Sequence, residues 1–364
     1  MAIDPGNTFD TARNGGLFNN TGRVISDSVS RTDKFDFIRV RFSGRSNFTA
    51  LLRGLKDNAD IALFNSDRKR IAISAKPGTQ AESISAQVEA GTYFIRVSRR
   101  TGETNYRLRL SSRLAPDPAT AKFVGLAGDN SLVFFNSNNL NNTTNIRVSG
   151  LQSGENLLGI DFRPNTGQLF GVGSSNRLYA IDFSNGAATQ VGTGTFAVPL
   201  TGSSYGVDFN PTVDRIRVVS DGSLNLRLNP DTGGVVDGNT TLDGVQPDGS
   251  ISGATATVSA TAYTNSFAGA TATTQYTIDS NSDQLFIQAP PNVGTQTLVG
   301  GLGVDFAANI GFDIVTDASQ ANTAFATSNS LLYSINLTTG AATSLGTVRR
   351  NSNPVNLVGL AARP

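Results

Sequence analysis

The chain of 364 residues contains no cysteine, histidine or tryptophan and a single methionine. Without cysteine it has no disulfide and no thiolate, and without histidine it has no imidazole for proton transfer or metal coordination. These absences exclude cysteine and serine–histidine hydrolases, zinc enzymes and haem held by histidine or cysteine. Reactions that use carboxylates, hydroxyls, lysine or arginine stay open.

Charged residues and long apolar runs are also scarce. Asp, Glu, Lys and Arg make up 16% of the chain, against about 25% in ordinary soluble domains. No apolar run approaches the length of about 18 residues that spans a bilayer, so we predict no membrane span. The first residues, Met1–Gly6, lack the basic and apolar segments of a secretory leader. The surplus of Gly, Ser, Thr and Asn is typical of short strands joined by tight turns, so we expect an all-β protein.

A proline-containing segment divides the chain. Pro116 and Pro118 favour extended linker backbone and cannot continue a central strand. We therefore predict a first domain over residues 1–113, a linker over 114–119 and a second domain over 120–364.

The two parts carry opposite formal charge. Residues 1–116 contain 19 Lys and Arg against 11 Asp and Glu, whereas residues 117–364 contain 10 against 17. The overall charge of +1 therefore conceals +8 on the first part and −7 on the second.

The first domain consists of alternating polar and apolar segments, which predict short strands and no helix. The order and spacing of five segments resemble the bacterial pre-peptidase C-terminal domain, namely Thr32–Phe37, Asp60–Phe64, Arg70–Ala72, Glu89–Val97 and Tyr106–Leu108. The most specific of them is Ala90–Val97, which reads Ala-Gly-Thr-Tyr-Phe-Ile-Arg-Val. The resemblance implies an exported β-sandwich that accompanies another domain and is not itself a catalyst.

The second domain contains an internal repeat. Asn156–Pro164 is echoed by Tyr205–Pro211 and Ile310–Ile314, and the segments after the first and last copies match at a constant offset of 154 residues. Each copy divides into four short strands over about 40–50 residues, as the blades of a β-propeller do. In the second copy the predicted strands end with one over residues 233–236.

The two ends of this domain predict how it closes. Asn356–Pro364 copies the opening of the first repeat, and Phe123–Leu132 aligns with its second and third strands, Leu169–Leu178. We expect the last strand of the chain to complete the sheet begun by residues 123–150, because this pairs two otherwise open edges. The result is a five-bladed β-propeller with one shared blade.

Residues 120–364 also resemble a bacterial domain family of unknown function with propeller-like repeats. The resemblance rests on Gly-Val-Asp-Phe, Tyr-x-Ile-Asp and Thr-Gly-Ala segments, and includes Arg215–Ser220 and Asn265–Ala270. It implies the fold and is silent on activity.

One candidate metal site lies in the repeat. The same position of three presumed first strands carries an acid, in Asp161, Asp208 and Asp313. Carboxylates crowded near a central channel form a cation site or an acid with a raised pKa. Alternatively, each aspartate accepts hydrogen bonds from a turn or a neighbouring blade, and Ala361 at the fifth position leaves any ring incomplete.

A second candidate metal site is a calcium loop, and calcium is the one cofactor that the sequence leaves open; no other cofactor is expected. Asp279, Asn281 and Asp283 supply oxygens at alternate positions, as in the first half of a calcium loop. Gln284 and Pro290 stand where that loop needs its glycine and its bidentate acid. A hairpin turn between two strands is the alternative interpretation.

The sequence also predicts an interaction surface on two adjacent strands and their connection, formed by Arg96, Arg99, Arg100, Arg107, Arg109 and Arg113. Alternation places Arg107 and Arg109 on one face of their strand. Such a face attracts acidic partners, but no aromatic side chains alternate with the arginines as single-stranded nucleic acid requires. We expect no nucleic-acid binding.

These observations favour a non-enzymatic structural or interaction protein, exported to the bacterial cell surface or extracellular matrix. The opposite domain charges predict that copies self-associate into a filament or layer. Two alternatives stay open: a module that binds surface glycans, and a calcium- or carboxylate-dependent hydrolase acting in the propeller channel.

Overall fold

The computed structural model of the protein describes residues 6–364. The first five residues of the predicted first domain, which include most of the segment Met1–Gly6, lie outside this range. Within it every regular element is a β-strand, and the all-β prediction is confirmed. The described part of the chain thus contains no helix long and apolar enough to cross a bilayer.

The chain divides into two compact units. The first comprises Met1–Asp117 with Asn142–Thr144, and the second comprises Pro118–Asn141 with Asn145–Pro364. The division after Asp117 falls inside the predicted linker, residues 114–119.

The first unit contains nine strands: β1 (Arg13–Phe18), β2 (Gly22–Val29), β3 (Phe35–Phe42), β4 (Ser46–Arg53), β5 (Ala59–Asn65), β6 (Arg70–Ser74), β7 (Glu82–Val88), β8 (Gly91–Arg99) and β9 (Thr104–Leu114). They form two sheets, with strand orders β1-β3-β8-β5-β6 and β2-β9-β4-β7. Alternate residues of β9 are buried, such as Leu108 and Leu110, and these residues join the apolar faces of both sheets in one core. The alternation exposes Arg107 and Arg109 on the other face of β9.

The second unit begins with strands β10 (Phe123–Ala127), β11 (Ser131–Phe135), β12 (Thr144–Arg147), β13 (Leu157–Phe162), β14 (Leu169–Gly173), β15 (Arg177–Asp182), β16 (Ala187–Val191), β17 (Tyr205–Asn210), β18 (Arg215–Ser220) and β19 (Asn225–Leu228). It continues with β20 (Ser252–Gly253), β21 (Ala260–Tyr263), β22 (Gln275–Asp279), β23 (Gln284–Gln288), β24 (Thr295–Gly301), β25 (Ile310–Thr316), β26 (Asn322–Ser328), β27 (Leu331–Ile335), β28 (Ala342–Thr347), β29 (Arg349–Arg350), β30 (Asn353–Pro354) and β31 (Leu357–Ala362).

Apart from the two-stranded pair β29-β30, these strands form five sheets. Their orders are β12-β11-β10-β31, β13-β14-β15-β16, β17-β18-β19, β20-β24-β23-β22-β21 and β25-β26-β27-β28. The strand predicted over residues 233–236 does not form, because the pairing after the turn is limited to a single bridge between Leu228 and Val235. The second repeat therefore has three strands.

The last strand lies where the repeat predicted it. β31 pairs with β10 in antiparallel register, with Phe123 opposite Ala362 and Gly125 opposite Leu360. Its predicted pairing with the opening sheet of the domain is confirmed.

One edge strand of each sheet lies against edge strands of other sheets. β31 contacts β25 and β13, β13 also contacts β17, β17 contacts β21, and β21 contacts β25. Glycines allow this close approach: a Cβ on Gly206 would lie 2.4 Å from the backbone nitrogen of Thr261, and one on Gly311 would lie 2.4 Å from that of Leu360. The glycine that recurs two residues before the aspartate of the repeat is thus required because a larger side chain would clash with the neighbouring strand.

Candidate functional site

The three aspartates of the repeat meet inside the second unit. Asp161 lies on β13, Asp208 on β17 and Asp313 on β25, and each is at most 3% exposed. Ligand oxygens of the three carboxylates lie within 4.8 Å of one another. We call them the aspartate cluster.

Backbone N–H groups occupy most oxygens of the aspartate cluster. Asp161 and Asp313 each accept two hydrogen bonds, one on each oxygen, and Asp208 accepts one on Oδ1, at distances between 2.5 and 3.1 Å. The donors, one on each of five edge strands, are the N–H groups of Phe162, Phe209, Tyr263, Ile314 and Ala362. Each carboxylate therefore links its own strand to a neighbour, as the structural interpretation of the repeat expects.

The cluster holds more acidic groups than its surroundings neutralise. Burial raises the pKa of Asp161 and Asp208 well above the ordinary value, and repulsion from the neighbouring carboxylates raises both further. Burial raises the pKa of Asp313 to about 6, against the lowering effects of its backbone hydrogen bonds and of Lys122. Protons or a cation must compensate this charge at neutral pH, and oxygen ligands at such spacing suit a hard cation such as calcium.

The strands around the cluster leave almost no free space. The cavity lined by β13, β17, β21, β25 and β31 measures about 10 Å³, whereas a single water needs roughly 10–15 Å³. Each of the three carboxylates is buried, so the observed arrangement does not itself support the hydrolase alternative.

The candidate calcium loop is a hairpin turn between β22 and β23. Asp279 is buried at the end of β22, and its carboxylate accepts hydrogen bonds from the hydroxyls of Thr255 and Thr257 and from the N–H of Asn281. Asp283 has a φ of 51° and accepts a hydrogen bond from the N–H of Phe306. The carboxylates of Asp279 and Asp283 thus accept hydrogen bonds from different residues of this chain.

The six arginines of the predicted interaction surface do not form one face. β8 and β9 are consecutive in sequence but belong to different sheets, which separates Arg96 and Arg99 from Arg107, Arg109 and Arg113. The separation arises because the chain crosses from one sheet to the other between the two strands.

The arginines on and after β8 have partners within the first unit. The guanidinium of Arg96 lies 5.3 Å from the ring centre of Phe35 and 5.1 Å from that of Phe64, and burial lowers its pKa. Arg99 donates to the carbonyl of Gly102, and Arg100 pairs with the buried Asp60. Their charges are therefore partly used in holding the fold.

Two arginines that the sequence analysis missed complete a basic site around β9. Arg23 on β2 and Arg53 on β4 join Arg107 and Arg109 in lining a groove of about 460 Å³. We call these four residues the arginine groove. None of them makes an ion pair or side-chain hydrogen bond within residues 6–364. Arg53 lies directly opposite Arg107, an arrangement of like charges that destabilises a sheet unless an anion compensates it.

The net charge of the exposed side chains differs from the formal net charge of the sequence, because the fold buries more acidic than basic side chains. In residues 117–364, six of the 17 acidic side chains are buried, against one of the 10 basic ones, which leaves 11 acids, nine bases and a surface charge of −2. In residues 6–116, three of 10 acids and none of the 19 bases are buried, which leaves +12. The acidic excess of the second part therefore lies mainly inside the protein.

Comparison with protein families identifies the second unit. Residues 131–361, more than half of the chain, match the family described as a domain of unknown function, DUF4394. The chain belongs to the DUF4394 family. No curated protein matches it.

Solved structures similar to this DUF4394 protein cover different shares of the chain. The pre-peptidase C-terminal domain of a collagenase from Bacillus anthracis matches at 16% identity over 27% of this chain and 93% of that chain, with a TM-score of 0.24. A protein of unknown function from Bacteroides thetaiotaomicron VPI-5482 matches at 13% identity over 82% of each chain, with a TM-score of 0.37. Another of unknown function, from Bacteroides caccae, matches at 11% identity over 61% of this chain and 72% of that chain, with a TM-score of 0.34.

The DUF4394 region contains a further polar centre that the sequence analysis did not assign. Arg217 on β18 is 1% exposed and forms an ion pair with the buried Asp248, which Arg227 on β19 also contacts. The signal in the sequence was an arginine at a position of β18 flanked by apolar residues on both sides. The aspartate cluster lies in the same region, whereas the arginine groove precedes it.

Proposed function

We propose that this DUF4394 protein is a non-enzymatic interaction protein, exported to the bacterial cell surface or extracellular matrix, that binds an acidic partner. The observation that carries the proposal is the arginine groove, which four arginines line without an acidic partner in the described chain. Export rests on the resemblance of the first-unit motifs to the pre-peptidase C-terminal domain.

The proposed architecture is a β-sandwich followed by a five-bladed β-propeller. Two sheets that share one core support the sandwich. The propeller is supported by five sheets whose edge strands β31, β13, β17, β21 and β25 contact one another in cyclic order. The pairing of β31 with β10 supports closure of that ring by the last strand.

The surface charges favour a partner outside the chain. The exposed charge of residues 117–364 in a second copy is only −2, whereas that of residues 6–116 is +12. Self-association through opposite charges therefore has less support than the sequence count suggests. An acidic polysaccharide of the cell envelope supplies carboxylates or sulfates in a row, which guanidinium groups bind bidentately. The groove has no aromatic lining on which a neutral sugar would stack.

Binding of the full chain to dextran sulfate, with uncharged dextran as the reference, tests the proposal. We expect binding that weakens with salt and a loss of about tenfold or more in the double variant R53Q/R107Q, since hydrogen bonds to charged groups contribute about 1.5–3 kcal/mol each. The matched control R39Q/R41Q removes the same charge from exposed positions of β3 and should bind as the unaltered chain does.

Two results would overturn this proposal. One is equal binding by R53Q/R107Q and the unaltered chain. The other is light scattering that shows assembly of the chain alone at low salt and its loss in R53Q/R107Q, because this would identify another copy as the partner.

A further inference from the structure

A second cavity, in the second unit, has the features of a small-molecule site. It measures about 410 Å³, within the range of about 300–1,000 Å³ typical of ligand pockets. Strands β17, β18 and β19 form one side, and the loop after β23 forms the other. Arg215, Arg217 and Arg227 line it together with Tyr263, Pro291 and Asn292.

The floor of this cavity is rigidly built. The Arg217 guanidinium donates from Nη1 to Asn225 and Asp248, both at 2.7 Å, and from Nη2 to Asn292 at 2.6 Å. Its Nε donates to the hydroxyl of Tyr263 at 3.2 Å. A buried side chain held by four partners has one orientation before any ligand arrives, which reduces the entropy lost on binding.

The cavity carries more positive than negative charge. Asp248 accepts from Arg217 and also from Arg227, through Nε at 2.8 Å and Nη2 at 2.7 Å. One carboxylate thus serves two guanidinium groups, and Arg215 adds a third that forms no ion pair within the described chain. Arg215 is partly exposed and also interacts electrostatically with Asp231. The positive excess that remains at the mouth of the cavity attracts an anion.

Free donors are available for that anion. Arg227 uses Nε and Nη2 on Asp248, and its Nη1 has no partner within residues 6–364. Arg215 uses Nη1 on the carbonyls of Val213 and Asp214, which leaves its Nε and Nη2. The fork of a guanidinium matches the two oxygens of a carboxylate.

We propose that this cavity binds a carboxylate-bearing sugar, a uronic acid residue. The carboxylate would pair with Arg215 and Arg227. Asn210 and Asn292 provide amide groups for hydroxyls, and the apolar wall of Val213, Pro290 and Pro291 suits the C–H face of a sugar ring. The proposal goes beyond the arginine groove, because it concerns different residues in the other unit.

Calorimetric titration of the full chain with glucuronate tests this site, with glucose and inorganic phosphate as reference ligands. We expect glucuronate to bind and R215Q to weaken its binding by about tenfold or more, because a charge-assisted hydrogen bond is lost. R177Q is the matched control: Arg177 also begins a strand of the second unit and donates from Nη1 to the carbonyl two residues before it, but it lies outside the cavity.

A second variant separates binding from folding. N292D places a carboxylate beside Nη2 of Arg217, where it supplies the negative charge that the ligand would bring. We expect N292D to lose glucuronate binding while its melting temperature stays equal or rises.

The proposal is wrong if glucuronate produces no heat of binding, if phosphate binds as tightly, or if N292D and R215Q bind like the unaltered chain. R53Q/R107Q, which alters only the arginine groove, should bind glucuronate normally. Its response therefore distinguishes a failure of this site from a failure of the groove.

Discussion

At the scale of single residues, the aspartate cluster solves a hydrogen-bonding problem. Five edge strands each direct one N–H toward the cluster, but only three of them carry an acid there, because β21 and β31 have Ala262 and Ala361 at the corresponding positions. Asp161 and Asp313 each accept two hydrogen bonds, one from the N–H of the next residue in their own strand and one from an N–H on the neighbouring strand. An alanine side chain cannot accept a hydrogen bond, so the N–H groups that follow Ala262 and Ala361 depend on aspartates of neighbouring strands. Three carboxylates thus satisfy five buried donors.

Asp208 is the member of the cluster that an amide should replace without loss. It accepts a single hydrogen bond, which the side-chain carbonyl introduced by D208N would keep. The folded-state pKa of these acids lies above the unfolded value, so their contribution to stability falls as pH rises from about 4 through the pKa of Asp313 at about 6. We expect D208N to raise the free energy of unfolding at pH 8 by about 1–3 kcal/mol, the usual cost of a poorly compensated buried polar group, because it removes one carboxylate from the mutual repulsion.

D161N is the control for this experiment, measured by urea unfolding between pH 4 and 8. It relieves the same repulsion but turns an amide NH₂ toward a buried N–H, at a cost of about 1–3 kcal/mol, so it should be less stable than D208N at each pH. A contrary result would be a chain that calcium stabilises at pH 8 and that loses this response in D208N. The carboxylates would then hold a cation.

At the scale of elements, the repeats predicted most strands and the pairing of β31 with β10, because internal similarity reports local structure directly. Internal similarity could not predict which charged side chains of different strands lie close together. Arg23 and Arg53 come from strands well before β9, and their convergence depends on a sheet order that the sequence does not reveal. For the same reason the sequence placed β8 and β9 side by side, although they lie in different sheets.

Removal of Asn356–Pro364 should destabilise the second unit far more than an ordinary truncation. It would expose the edge of β10 and remove Leu357 and Leu360 from the core, and leucine losses of this kind cost about 2–5 kcal/mol each. We expect the truncated chain to melt at a lower temperature and to aggregate. A synthetic peptide of residues 356–364 should restore the melting temperature, whereas a scrambled peptide should not; equal stability with and without the segment would contradict the role of β31.

At the scale of the whole molecule, folding changes the charge that a partner meets. The formal charge of +1 includes acids that the fold buries, and several of these have a raised pKa. The surface is consequently basic, with its excess on the first unit. Composition alone could not give this distribution, because it depends on which acids are enclosed by strands.

Cation-exchange chromatography at pH 7 checks this distribution. We expect the folded chain to elute from a sulfonate resin at higher salt than the same chain unfolded in urea, in which the buried acids ionise in water. R53Q/R107Q should elute earlier than R39Q/R41Q, because Arg53 and Arg107 share a groove with two further arginines and so contribute to a stronger local positive potential. Identical elution of the folded and unfolded chain would contradict a basic surface created by burial.

The pairing of β31 with β10 also has a consequence for the timing of folding. Phe123 and Ala362 stand at opposite ends of the second unit in sequence but side by side in one sheet. During synthesis, β10 therefore exposes an unpaired edge until almost the whole unit has followed it. Contacts between such distant residues slow folding, so a chaperone that shields this edge would protect the nascent protein from aggregation.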